Sequence, residues 1–218
     1  MHDFIGTIFH VFRRAIPFAL AGLAVGAALL IVLARKGRRD GKPLSVGRAA
    51  AVLLLLCYLG GLTAITLMDR TGNGMQIYQP FPFLAFWEAW NSFTLQVWLN
   101  PLLNIAMFVP LGLLLPLAAK PFRRWYRMLA AGVGTSFIIE AAQYILGRGQ
   151  ADVDDLICNT LGAMLGYCLF MLFVCLADKR WKAAGTYAVL PGLSIIVLTG
   201  VFLAYHIQPY GNLADAPI

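Results

Sequence analysis

Residues Glu140–Thr160, EAAQYILGRGQADVDDLICNT, place four carboxylates, an arginine and three amides within a chain that is 60% hydrophobic and only 12% charged. Carboxylate and amide oxygens are the ligands that Mg²⁺ or Ca²⁺ prefer. A carboxylate can also serve as a general base beside a metal that polarises a phosphate or carbonyl. Arg148 offers a planar fork to a phosphate. At about 100° per residue, Ser136, Glu140, Gln143 and Gly147 form one helical stripe. Asp155, Asn159, Gly162 and Gly166 form a second, on the following helix. Asp152 or Asp154 is positioned to cap that second helix, where an acidic group also meets a favourable dipole. Gly162 and Gly166 make a small-xxx-small pattern that lets another helix approach closely.

These stripes need helices to carry them. The mean hydropathy of the 218-residue chain is +0.75, and apolar stretches of about 18 or more residues read as membrane spans. Six are expected: Ala15–Ala34, Ala49–Met68, Trp98–Ala118, Met128–Leu146, Leu156–Ala177 and Tyr187–Ile207. The third and fourth carry polar interruptions. Little sequence remains for a soluble domain, so the expected fold is all-α: a single polytopic transmembrane helical bundle.

The formal charge of +7 does not point to nucleic acid, because Lys and Arg concentrate in alternate connections between the apolar runs. Segments 35–48, 119–127 and 178–186 hold all but Arg13, Arg14, Arg70 and Arg148 of the 17 basic residues. Positive charge stays cytoplasmic. Both termini and the 69–97 and 147–155 connections are therefore expected outside. Arg13 and Arg14 run against that pattern and leave open a cytoplasmic amino terminus with one run not spanning. No signal-peptide cleavage site follows a short apolar core. The basic 37–48 segment suits anionic headgroups.

The first two runs carry little polar chemistry and are expected to pack around the functional core. Residues 76–98, QIYQPFPFLAFWEAWNSFTLQVW, differ: Pro80 and Pro82 break any continuous helix. The aromatics that follow suit an interfacial or re-entrant segment before the third span. In that span Asn100–Pro101 reads as a helix start, and Asn104, Phe108 and Leu111/Gly112 share a face. Pro110 is expected to kink the helix and free the Ala106 carbonyl. Glu140 is costly inside a membrane and needs a partner, with Gln143, Asn104 and Arg148 in reach and Arg148 able to bridge to Asp152 or Asp155. Cys57, Cys158, Cys168 and Cys175 lie in apolar runs without a CxxC pair and read as packing residues.

The spread Asn100…Asn104-x3-Phe108-x-Pro110-x-Gly112-x3-Pro116, then Glu140-x2-Gln143-x4-Arg148-x3-Asp152-x2-Asp155-x3-Asn159-x2-Gly162-x3-Gly166, resembles the VanZ-like membrane proteins. Pro82-Phe83 fits the same pattern, and the resemblance covers roughly residues 80–170. It implies a small bacterial inner-membrane protein, of a family whose namesake is associated with low-level resistance to the glycopeptide teicoplanin. Two functions stand side by side. One is binding: Asn104, Glu140, Gln143, Arg148, Asp152, Asp155 and Asn159 would form an outward-facing pocket for an envelope lipid, a lipid-linked cell-wall precursor or a lipophilic glycopeptide. It requires no cofactor, with Mg²⁺ or Ca²⁺ at Asp152 and Asp155 as an option. The other is a membrane enzyme acting on a polyprenyl-linked precursor, with Glu140 as base and Asp152 and Asp155 holding a metal. Binding is preferred, because His2, His10 and His206 are remote and there is no GxSxG, HExxH or cysteine–histidine pair. A transporter ranks third, since no inverted repeat is evident.

Overall fold

The computed structural model of the protein describes residues 2–41, 45–68, 77–79, 81–92, 95–147 and 150–207. Among the described residues seven α-helices run in chain order: α1 His2–Arg39, α2 Val46–Met68, α3 Leu84–Ser92, α4 Leu95–Ala118, α5 Trp125–Ile145, α6 Val153–Ala177 and α7 Trp181–Ile207. Helices dominate because a lipid core offers no water to backbone amides and carbonyls, so each span must satisfy them internally. The chain divides into two compact units, Met1–Phe170 and Met171–Ile218.

Five helical segments among the described residues are long and apolar enough to cross a membrane: Ile16–Arg39, Val46–Leu67, Val97–Ala118, Trp125–Ile145 and Val153–Ala177. They coincide with the first five expected runs. The sixth, Tyr187–Ile207, falls within α7, and the side chains of its last part lie outside the described residues. Apolar groups on the outer faces, such as Phe137 at 62% and Ile145 at 72% exposure, suit contact with lipid tails.

Lipid supplies no hydrophobic drive between helices, so their contacts depend on close backbone approach. A Cβ placed on Gly162 would lie 2.0 Å from the Ile105 carbonyl oxygen, and one on Gly166 would lie 2.1 Å from that of Val109. Reciprocally, a Cβ on Gly112 would lie 2.0 Å from the Ala163 carbonyl oxygen. α4 and α6 are thus in backbone contact along one seam, which closes over Phe108 and Ala163, both fully buried. Pro116 is also buried in this unit.

α4 differs from expectation at its start. It begins at Leu95, so Pro101 lies inside the helix rather than at its first position. A proline there forgoes only one amide bond, and the turn that precedes it still extends the helix. Pro110 also lies within the continuous helix, and nearby the Tyr58 hydroxyl of α2 donates to the Met107 carbonyl at 2.7 Å. At the far end of α4, the Arg48 Nε donates to the Ala118 carbonyl at 2.9 Å and the Arg123 Nε to that of Pro116 at 3.3 Å. Cations at a helix carboxyl end satisfy its last carbonyls and its dipole.

Among the described residues, a pair of short parallel strands departs from helix, β1 Ile77–Gln79 and β2 Gln150–Asp152, with Tyr78 opposite Ala151. They tie the connection before α3 to the turn between α5 and α6. α3 is nine residues long, too short to span. It leans on the start of α4 through Phe86 and Trp98, whose rings meet edge-on at 6.4 Å.

Candidate functional site

The tip between α5 and α6 is held by carboxylates that each accept a main-chain N–H. Glu140 Oε2 accepts from Asp152 N–H at 3.1 Å, and Asp152 Oδ1 accepts from Asp154 N–H at 2.8 Å. Asp152 is therefore the cap of α6. Asp154, only 1% exposed, does a different job: its carboxylate accepts from the N–H groups of Phe83 and Ala85, the latter at 2.8 Å. It thus caps α3 from another helix. Phe83 sits at φ 69°, a left-handed conformation that costs a bulky residue about 1–3 kcal/mol. The charge-assisted bond from its N–H offsets part of that cost.

α5 stops where Leu146 and then Gly147, at φ 59°, turn the chain. Gly147 is thus the left-handed residue after the helix rather than a member of the polar stripe. The other three stripe residues face inward, with Ser136 0%, Glu140 8% and Gln143 1% exposed. Ser136 and Gln143 meet different helices, and Glu140 meets β2 through Asp152 N–H. Asn159 Nδ2 of α6 donates to Ser136 Oγ at 3.0 Å, and Gln143 Nε2 donates to the Thr66 carbonyl of α2 at 3.0 Å. Asn104 Nδ2 of α4 donates to Asp155 Oδ1. Four helices therefore meet through polar groups at one end of the first unit, α2 by its Thr66 carbonyl.

They enclose a cavity of about 60 Å³, room for roughly two water-sized groups. Its polar wall is Thr66, Asn104, Glu140, Gln143, Asp155 and Asn159, and its apolar wall is Ile65, Met107 and Ile139. Two buried acceptors among these residues, Gln143 Oε1 and Asn159 Oδ1, have no hydrogen-bond partner. A buried polar atom left unpaired costs about 1–3 kcal/mol. The cavity therefore favours a group that donates hydrogen bonds or carries positive charge.

Of the residues expected to bind ligand, Asn104, Glu140, Gln143, Asp155 and Asn159 line this cavity together. Asp152 does not line it; it is engaged with α6. Arg148 lies outside the described residues. Among the described residues, no group of three or more His, Cys, Asp or Glu side chains is placed to hold a metal ion. Sequence reasoning missed Ile65 and Thr66, because α2 was expected to pack around the core rather than line it. Thr66 joins through its carbonyl, and a backbone contact leaves no mark on residue identity. The cap that Asp154 gives α3 was equally hidden, because its partners lie 71 and 69 positions away.

Five apolar spanning helices, four of which meet at a buried polar cavity, define a polytopic membrane protein with an acceptor-rich site near one end. The VanZ/LLP1 family model matches residues 50–174, more than half of the chain, and the protein belongs to this family. That match contains most of α2 and every residue lining the cavity. No match is found among curated proteins or among solved structures.

Proposed function

We propose that this VanZ-like protein resides in the bacterial cytoplasmic membrane and binds an envelope ligand at its polar cavity on the extracytoplasmic side. The ligand is the polar end of an envelope lipid, a lipid-linked cell-wall precursor or a lipophilic glycopeptide. Binding contributes to glycopeptide (teicoplanin) resistance or to envelope homeostasis. The observation that carries this reading is the cavity itself, where two buried amide oxygens lack donors beside two carboxylates. A folded protein rarely leaves such acceptors unsatisfied without a functional reason.

The sidedness is supported by the other end of the same unit. Arg48 and Arg123 lie where α4 ends, whereas Asn104 and Asp155 lie near where α4 and α6 begin. Positive-inside topology then puts the cavity outside. A volume of about 60 Å³ holds only a terminal polar group, roughly two water-sized groups, so the apolar body of such a ligand stays in the bilayer. Glycopeptide susceptibility and lipid co-purification, compared between wild type and Glu140→Gln, test the proposal. It predicts a change in at least one; no change in either refutes it.

A further inference from the structure

We propose that the cavity recognises a primary ammonium group at the end of a short methylene chain, presented by an amine-bearing lipid headgroup. This rests on the reading above that the cavity binds a ligand. The unsatisfied atoms among the cavity-lining residues are both acceptors: Gln143 Oε1 and Asn159 Oδ1, with residue exposures of 1% and 4%. Each amide nitrogen gives one of its two N–H donors, to the Thr66 carbonyl and to Ser136 Oγ. The two oxygens can only receive. Asn104 likewise gives one N–H of Nδ2 to Asp155, and the unpaired atoms of the polar wall are oxygens.

An ammonium group has three N–H donors and no acceptor, the complement of such a wall. Glu140 and Asp155 add negative charge to the same lining. The geometry disfavours a bare metal ion on two counts. Calcium needs six to eight oxygen ligands and magnesium a near-ideal octahedron that keeps several waters. Here one side of a cavity of about 60 Å³ is Ile65, Met107 and Ile139, which coordinate nothing and leave little space for metal-bound water. Those three side chains suit the methylene next to an ammonium. A quaternary trimethylammonium group would be too bulky and has no N–H to give.

The test uses the full-length protein purified in detergent and exchanged against vesicles containing equal phosphatidylethanolamine and phosphatidylcholine, read by native mass spectrometry. The two headgroups share a phosphate and differ in N-methylation. Wild type is expected to retain the ethanolamine lipid about tenfold over the choline lipid, the size of one lost charge-assisted hydrogen bond. Gln143→Met, which removes the orphan oxygen, is expected to abolish that preference. Gln143→Glu, which loses the same Thr66 bond but keeps acceptors, is expected to retain it. Equal retention of both lipids by wild type overturns the inference while leaving lipid binding intact, and needs no variant to fold. Identical behaviour of the Met and Glu variants also overturns it. A second arm measures thermal stabilisation by free ethylamine, Mg²⁺ and Ca²⁺. Stabilisation by ethylamine without lipid retention keeps the ammonium specificity and removes the lipid as its source. Stabilisation by the divalent ions alone, or by none of the three with no lipid retained, refutes it.

Discussion

Replacing Gly166 with alanine adds one methyl group to the α4–α6 seam. That methyl would stand 2.1 Å from the Val109 carbonyl oxygen and 3.0 Å from Gly112 Cα, and neither can rotate away. Reaching an ordinary contact requires the helices to separate by about 1 Å, and a gap of that size forfeits a quarter to a half of each dispersion contact it opens. The same movement pulls on Gly162 and Gly112, where an added Cβ would likewise lie 2.0 Å from a carbonyl oxygen of the facing helix. Overpacking of this kind costs about 1–3 kcal/mol, and the shared seam argues for the upper half of that range. Such a loss lowers a melting temperature by roughly 4–10 °C in a chain of this size. The control is Gly134→Ala, where the added methyl meets nothing within 4 Å and the helix gains up to about 1 kcal/mol of propensity. Thermal unfolding of both variants in one detergent is the assay. If Gly166→Ala is as stable as Gly134→Ala, α4 and α6 do not touch as described.

Further outcomes follow from the polar contacts. Asp154→Ala is expected to raise hydrogen exchange at the amides of Phe83 and Ala85 about tenfold or more, since two charge-assisted bonds are lost, while amides in the middle of α4 stay protected. Asn104 and Asp155 are expected to show a coupling of about 0.5–2 kcal/mol in a double-mutant cycle of Asn104→Leu and Asp155→Leu; additive effects would break the pair. Tyr58→Phe removes a single hydrogen bond to Met107 and is expected to cost only about 0.6 kcal/mol, measured by unfolding in a detergent series. Cysteine labelling from outside intact cells is expected to reach Glu88→Cys and not Lys120→Cys, with the reverse pattern contradicting the proposed sidedness.

Much of the helical framework was legible because a span needs a long apolar run, and runs such as Ala49–Met68 and Leu156–Ala177 announce themselves. The polar stripes were legible for a similar reason. Residues at spacings of three and four must share a face, and Glu140, Gln143, Asp155 and Asn159 do line one cavity. What stayed hidden depends on long-range or backbone contacts. Asp154 looked like a local cap for α6, and only the folded chain brings Phe83 and Ala85 to its carboxylate. Three-residue strands are too short to show a period of two, so β1 and β2 left no pattern. Thr66 entered the site through its carbonyl, which every residue possesses. Pro101 suggested a helix start because proline is favoured there, yet the preceding turn was already helical from Leu95.

The most direct measurement is a high-resolution experimental structure of the protein in native lipid, with attention to the space between Gln143 Oε1 and Asn159 Oδ1. The account predicts non-protein density there, continuous with a lipid and within hydrogen-bond distance, about 2.7–3.2 Å, of both oxygens. Finding both oxygens satisfied by the protein's own side chains, with no ligand between them, would contradict it.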